Sequence, residues 1–225
     1  MGDAHGQGFI EDHEAPPVMK KVLAFEIADT TVTNREFKAF IDATGYTTTA
    51  ETIGDSYVFH LLVEPEKRAE YAHVSGSPWW LLVPGASWNH PTGLQSSIDD
   101  MMDHPVVHVS LQDALAYCDW AKVKLPTETQ WEYAARGGTT TQFPWGNDLE
   151  EDGEFHANTW QGDFPNTNTK ADGFLGTAPV KSFEPNGYGL YQMIGNVWEW
   201  CCNHRGIPFE EIEEDASYPI NFEYE

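Results

Sequence analysis

The sequence contains few of the residues and runs that define several large protein classes. Three cysteines among 225 residues are too few for a disulfide framework. No stretch approaches the roughly 18 consecutive apolar residues that a membrane-spanning helix needs. The N-terminus has neither the basic region nor the apolar region of a secretory signal. We therefore expect a cytoplasmic protein without a membrane partner.

Basic residues are also scarce. The chain has 12 Lys and Arg against 36 Asp and Glu, which gives a formal net charge of −24. Such a field repels nucleic acid, so we expect no nucleic-acid partner. It favours cations and basic peptides, although acidity can also serve solubility alone.

Aromatic residues, in contrast, are abundant, with nine Trp, nine Tyr and twelve Phe. Large rings bury much area each and can build a core without long aliphatic runs. Disordered chains are poor in such residues. The composition therefore predicts a folded domain, within which recurring Pro, Gly, Asn and Asp favour short strands and long loops.

Three helices are predicted by capping boxes, in which a Ser or Thr is followed three residues later by an acid or amide. The pairs are Thr33 with Glu36, Ser110 with Asp113, and Thr127 with Gln130. Gly45 is placed to end the first helix in a left-handed conformation. The second helix puts Leu115, Cys118 and Ala121 on one stripe, so we expect the Cys118 thiol to be buried.

Two further segments are interpreted from their composition. His104 and His108 are four apart, but Pro105 and the neighbouring valines favour a strand over a helix with two zinc ligands. Residues 209–225 contain seven Asp and Glu and no Lys or Arg. We interpret them as an acidic loop or tail that follows one domain at residues 1–208.

Two loops combine one amide and one carboxylate near tight turns. The first contains Asn158, Thr159, Asp172 and Phe174; the second contains Gln192, Gly195, Val197 and Glu199. Calcium binds six to eight oxygens drawn from carboxylates, amides and backbone carbonyls. Polar residues in turns that hold no metal are the alternative interpretation.

Several longer motifs occur in a fixed order along the chain. They are the runs Lys124–Tyr133, Phe143–Asn147, Ala157–Gly162, Asp172–Phe174, Pro185–Tyr191 and Gly195–Trp200. Shorter pieces precede them, among them Gly54-Asp-Ser56, Pro78-Trp-Trp80 and His104-Pro-Val-Val-His-Val-Ser110. Together they resemble the formylglycine-generating enzyme, or sulfatase-modifying factor, family over residues 1 to about 205.

This resemblance implies a fold and an activity. The fold would be α+β, the C-type-lectin-like fold of formylglycine-generating enzymes, with many loops and little regular secondary structure. The activity would be oxygen-dependent oxidation of a cysteine to formylglycine. The implied partner is a sulfatase-type peptide with the motif Cys-x-Pro-x-Arg.

The resemblance also implies two structural calcium ions. The first would be held by Asn158, the Thr159 carbonyl, Asp172 and the Phe174 carbonyl. The second would be held by Gln192, the carbonyls of Gly195 and Val197, and Glu199. Members of the family often have Asn at the position of Gln192, whose longer side chain keeps the oxygen but changes its reach.

Part of a substrate groove is implied as well. Asp55 would pair with the arginine of the substrate, a charge-assisted contact, and Tyr57, Trp79 and Trp198 would line the groove. Asp55 can alternatively be a turn residue after Gly54, and the three aromatic residues can belong to the core.

The catalytic cysteine pair of the family, which binds copper, follows a Gly-Gly-Ser strand downstream of Trp-Glu-Trp. Here Trp200 is followed by Cys201, Cys202 and an acidic stretch. Adjacent side chains of an extended chain point to opposite faces, so these two thiols would chelate one metal poorly. We therefore assign no catalytic residue and expect this chain alone to be inactive, with copper bound only if the missing cysteine segment is supplied.

Two other functions remain open. One is a non-catalytic, calcium-stabilised module of the same fold that binds peptides or sugars. The other is the related sulfoxide synthase branch with non-haem iron. That branch needs an additional helical domain, for which these residues leave no room.

Overall fold

The structure is a computed structural model that describes residues 1–9 and 14–203. The acidic segment predicted at residues 209–225 lies outside the described residues. Within them, no helix is long and apolar enough to cross a membrane. Helices and strands are short and are joined by long loops, so the predicted mixed α and β domain with little regular structure is confirmed.

The described residues form four α-helices: α1 at Asn34–Thr44, α2 at Thr49–Ile53, α3 at Leu111–Ala121 and α4 at Glu128–Arg136. The three predicted capping boxes are formed, and Gly45 ends α1 with φ 66°. Helix α2 was missed, although Thr48 and Glu51 form the same box. A helix of five residues is too short to produce a periodic apolar pattern.

The main sheet is antiparallel with the order β1-β3-β2. Its strands are β1 at Asp55–Phe59, β2 at His73–Val74 and β3 at Ser77–Pro84, and a separate hairpin pairs β4 at Glu150–Glu151 with β5 at Glu154–Phe155. Two single-turn 3₁₀ helices, His60–Leu62 and Arg68–Glu70, follow β1. Alternate residues of β3 are buried, as expected for a sheet with one covered face.

The predicted strand around His104 and His108 is wrong. This segment makes one isolated bridge, between Thr33 and Pro105. His108 has φ 58°, which turns the backbone out of the extended conformation. Pro105 lacks the N–H that would continue a ladder.

Within the part of the chain that the structure describes, the core consists of three clusters. One lies behind the sheet (Val58, Val63, Leu81, Val83, Ala86), a second packs around α1 (Phe37, Phe40, Trp88, Ile98), and a third joins α4 to a later loop (Ala134, Ala135, Leu190, Met193). In the second cluster the Phe37 ring lies 5.4 Å from Phe40 and 5.5 Å from Trp88, both in edge-to-face contacts. Such ring pairs stabilise a core beyond the area that they bury.

Side-chain amides hold the long loops onto the helices. Asn186 donates through Nδ2 to the Ala134 carbonyl at the end of α4, at 2.7 Å, and accepts through Oδ1 from the backbone N–H of Tyr188. Asn34 donates to the Met101 carbonyl at 2.8 Å. These hydrogen bonds satisfy backbone groups that have no partner within a helix or a sheet.

Candidate functional site

A large cavity within the described residues, here called the central cleft, has a volume of about 2010 Å³. The N-terminal segment, the main sheet, α3 and the loops around residues 158–200 surround it. Its lining includes Ile27, Tyr57, Trp79, Leu115, Trp160 and Trp198. The predicted stripe of α3 therefore faces an open cleft, and Cys118 on that stripe is 8% exposed.

One wall of the central cleft is built from aromatic rings. Phe164 lies 5.1 Å from Trp79, 5.1 Å from Trp160 and 6.1 Å from Phe59, measured between ring centroids. Phe164 is half exposed, and Trp160 keeps its Nε1 buried without a hydrogen-bond partner in the described residues. An unpaired buried donor costs free energy, and because this N–H is enclosed by the protein, a ligand in the cleft does not reach it.

Three of the four predicted groove residues line the central cleft. They are Tyr57, Trp79 and Trp198, and Trp198 is fully exposed. Asp55 is outside the lining as far as the described residues show, but it lies two positions before Tyr57 on β1. Residues two apart on a strand share a face, so both side chains point the same way.

Sequence reasoning missed Phe59 and Phe164 as parts of this wall. Phe59 ends β1, and Phe164 lies in a loop about a hundred residues later. No local pattern connects them, because only the folded loop brings Phe164 onto the sheet.

The first predicted oxygen cluster is assembled around Asp172. Its carboxylate accepts from the backbone N–H groups of Thr159 and Phe174, each at 2.9 Å. Gln161 contributes Nε2, which donates to the Thr159 carbonyl at 2.6 Å, to Thr159 Oγ1 at 3.2 Å and to Asp172 Oδ2 at 3.0 Å. Three oxygens thus converge on one polar nitrogen, which is the arrangement that a cation also needs.

The second predicted cluster contains an unsatisfied oxygen. Gln192 donates through Nε2 to the Pro179 carbonyl at 2.6 Å, and its Oε1 is buried without a hydrogen-bond partner among the described residues. Glu199 accepts from Trp131 Nε1 at 3.1 Å, and burial raises the pKa of this carboxyl. A buried acceptor and a partly buried carboxylate in one loop are oxygen donors of the kind that calcium binds.

Asn158 and Asn196 join the two clusters. The Asn196 backbone N–H donates to the Asn158 carbonyl at 2.9 Å, and Asn158 Nδ2 donates to Asn196 Oδ1 at 3.1 Å. Gly195 lies directly against the Asn158 carbonyl. The clusters therefore form one unit, a connection that the sequence did not reveal.

The surroundings of the three cysteines favour the neutral thiol. Burial raises the pKa of Cys118, burial and then Glu128 raise the pKa of Cys201 to about 12, and burial raises the pKa of Cys202. Across the described ranges, no three His, Cys, Asp or Glu side chains are grouped to hold a metal ion.

Comparison with known proteins gives a consistent result. A family model described as "Sulfatase-modifying factor enzyme 1-like domain" matches residues 1–206. The formylglycine-generating enzyme of Streptomyces coelicolor is 50% identical over 202 residues, which cover 89% of this chain and 64% of that protein. The formylglycine-generating enzyme of Bos taurus is 50% identical over 192 residues, which cover 84% of this chain and 51% of that protein.

A relative with a different printed name is nearly as similar. The "Inactive C-alpha-formylglycine-generating enzyme 2" of Mus musculus is 45% identical over 191 residues, which cover 84% of this chain and 61% of that protein. The chain spans about half to two thirds of the length of these three relatives. The solved structure of PvdO from Pseudomonas aeruginosa is 26% identical, with 79% of this chain and 56% of that chain covered and a TM-score of 0.49.

Proposed function

Because the chain belongs to the sulfatase-modifying factor family, we propose that it forms the substrate-binding part of a formylglycine-generating enzyme. In this proposal a sulfatase supplies the peptide motif Cys-x-Pro-x-Arg, whose cysteine is oxidised to formylglycine in the complete site. The central cleft is the observation that carries the proposal. It is about 2010 Å³ in volume and is bordered by exposed aromatic side chains.

The residues of the central cleft have distinct roles in this proposal. The rings of Trp79 and Phe164 offer flat apolar surfaces to an extended, proline-containing peptide. Trp160 supports the Phe164 ring from behind, with the two ring centroids 5.1 Å apart. Asp55 attracts the arginine, as a carboxylate does in charge-assisted pairs.

We expect Trp198→Ala to weaken binding of a labelled Cys-x-Pro-x-Arg peptide about tenfold, because an exposed Trp at the centre of a binding surface is often an energetic hot spot. Fluorescence polarisation measures this affinity. Tyr188→Ala is the matched control, since Tyr188 is a half-exposed aromatic residue outside the cleft lining. Equal affinities of Trp198→Ala and the parent chain would count against the proposed function.

A second candidate function is a non-catalytic module that binds peptides or sugars. Relatives 45% identical to this chain carry names that call them inactive. The DNA sequence directly downstream of the codon for Glu225 separates the two candidates. A reading frame that encodes Gly-Gly-Ser and a Cys-x4-Cys pair favours the enzyme, and unrelated sequence favours the binding module.

We also propose that the two oxygen clusters bind calcium. The buried Oε1 of Gln192 is an acceptor without a partner, and leaving it so costs about 1–3 kcal/mol. The carboxylates of Asp172 and Glu199 supply negative charge, and carbonyls complete each shell. A bound ion would neutralise these charges and hold the two loops together.

Removal of calcium with EDTA is therefore expected to lower the melting temperature. A ligand at 100 times its Kd stabilises the fold by about 2.7 kcal/mol, which corresponds to about 5–10 °C for a chain of this size. Differential scanning calorimetry with and without calcium measures the shift. Gln192→Leu, which removes the unpaired oxygen, should reduce the response to calcium. An unchanged melting temperature after EDTA would contradict both sites.

A further inference from the structure

His108 has a strained backbone conformation, and the proposed function as stated gives it no role. Its φ is 58°, in the left-handed region that residues other than glycine seldom adopt. Such a conformation is costly and persists only where the surrounding structure holds it. The chain is held on both sides of His108, because Val106 N–H donates to the Val32 carbonyl at 2.9 Å and Ser110 caps α3. The position of the imidazole is therefore set by the fold.

Both ring nitrogens of His108 are hydrogen-bonded, each to a different part of the fold. Nε2 lies 2.8 Å from the Pro91 carbonyl oxygen, and Nδ1 lies 2.8 Å from Ser56 Oγ. A carbonyl oxygen can only accept, so in the neutral ring Nε2 carries the hydrogen and Nδ1 accepts from the Ser56 hydroxyl. Burial lowers the pKa of His108, which favours this neutral ring. His108 therefore links β1 to the loop around Pro91.

The loop around Pro91 is itself firmly held. Ser87 and His90 exchange two backbone hydrogen bonds of 3.1 Å. His90 Nδ1 lies 2.6 Å from the Ser96 carbonyl oxygen, which closes the loop on itself. Trp88, between these residues, packs into the core cluster around α1. The Pro91 carbonyl is therefore a fixed point to which His108 can tie a second element.

Ser56, the other partner of His108, lies between two of the residues assigned to the groove. Asp55 precedes it and Tyr57 follows it on β1, and successive side chains of a strand point to opposite faces. On its own side Ser56 pairs in register with Val83, which is buried. The hydrogen bond to His108 therefore holds β1 from the face opposite that of Asp55, at the position next to it.

We propose that His108 is a positioning residue of the peptide groove, which acts through Ser56 to hold the Asp55 carboxylate where it meets the substrate arginine. This inference rests on the proposed function and adds to it the residue that sets the preference for arginine. Charge-assisted pairs depend on geometry, and a binding group is precise only when neighbouring residues support it. Without the link, Asp55 should lose its hold on arginine while the other contacts of the peptide remain.

The probes for this role are the labelled peptide Cys-Ala-Pro-Ala-Arg and the same peptide with citrulline, a neutral isostere of arginine, in the last position. Fluorescence polarisation gives the affinity for each, and the ratio of the two affinities is the arginine preference. We expect Ser56→Ala and His108→Asn each to lower this preference about fivefold or more, with the affinity for the citrulline peptide unchanged within about twofold. A merely structural role would weaken both peptides alike.

The variants are chosen to separate the hydrogen bond from other effects. Asn tolerates a positive φ better than most residues, so His108→Asn removes the imidazole with little added backbone strain. Ser56→Thr keeps the hydroxyl and should retain the arginine preference. The double variant Ser56→Ala/His108→Asn should lose no more than either single variant, because both remove the same link.

His104→Asn is the matched control. His104 lies four residues before His108, and its Nδ1 lies 2.9 Å from Thr177 Oγ1, so it makes the same kind of bond to a different element. This variant should keep the arginine preference of the parent chain. Trp198→Ala should weaken both peptides alike, since it removes apolar contact and no charge.

The outcomes distinguish this role from the proposed function. Full arginine preference in Ser56→Ala and His108→Asn, or equal weakening of both peptides, would overturn the role of His108 alone. Binding of the parent chain without any arginine preference would overturn the pairing of Asp55 with arginine, and the role of His108 with it. Binding of neither peptide by the parent chain would overturn the proposed function as a whole.

Discussion

Asp113→Ala is expected to destabilise the folded chain by about 3–5 kcal/mol. The Asp113 side chain is 0% exposed and belongs to the capping box in the first turn of α3. It accepts from Ser110 N–H at 2.8 Å, from Thr49 N–H at 3.0 Å and from the Tyr46 hydroxyl at 3.0 Å. One carboxylate therefore fastens the starts of α2 and α3 and the end of α1. Its removal leaves several buried donors unsatisfied.

Chemical denaturation of the parent chain and of Asp113→Ala measures this loss of folding free energy. Asp119→Ala is the matched control, because Asp119 lies on the same helix with its side chain 89% exposed and pairs with Lys122 at the surface. An exposed pair of this kind contributes little, so the control should change stability by less than about 1 kcal/mol. A similar effect of both substitutions would refute the role assigned to Asp113.

Tyr46 provides a second measurement on the same site. Burial, followed by the hydrogen bond to Asp113, raises the pKa of Tyr46 to about 12. Since the folded pKa exceeds the unfolded value near 10, the neutral phenol stabilises the fold below pH 10, and this contribution is lost as pH rises through about 12. In Asp113→Ala, an ultraviolet titration of tyrosinate should place the Tyr46 pKa lower.

The second large effect is expected at Gly195, where Gly195→Ala should cost about 2–4 kcal/mol. A Cβ at this position would lie 2.3 Å from the Asn158 carbonyl oxygen, and Gly195 has φ 79°. The added methyl must push Asn158 away, which disturbs the hydrogen bond from Asn196 N–H to the Asn158 carbonyl. Both oxygen clusters should then lose their arrangement, so calcium should stabilise the variant less than the parent chain.

Gly189→Ala is the control for backbone conformation alone. Gly189 has φ 83°, lies outside both oxygen clusters, and a Cβ there would meet no atom within 4 Å. Its cost is therefore the conformational one, about 1–2 kcal/mol. Urea denaturation of both variants, with and without calcium, gives the comparison. Equal destabilisation of Gly195→Ala and the control variant would mean that contact between the added Cβ and the Asn158 carbonyl is unimportant.

Some features were predictable because their signals are local. A capping box spans four residues, and a left-handed C-cap requires a single glycine, so α1, α3 and α4 could be placed from the sequence. The ordered motifs from Lys124 to Trp200 were sufficient to identify the family. The strand predicted near His108 failed because a positive φ at a non-glycine residue has no reliable local signature.

The sequence by itself determined the starts of three helices, the acidity of the chain, its family, and which oxygen-bearing and aromatic residues were candidates for binding. The tertiary structure alone decided that Phe164 joins Trp79 on one wall of the central cleft and that Gln192 keeps a buried oxygen without a described partner. It also decided that Asn158 and Asn196 couple the two clusters. The physical reason is the range over which each effect acts. Capping and turn preferences act within a few residues, whereas cavities and shared clusters arise from contacts between segments far apart in the chain.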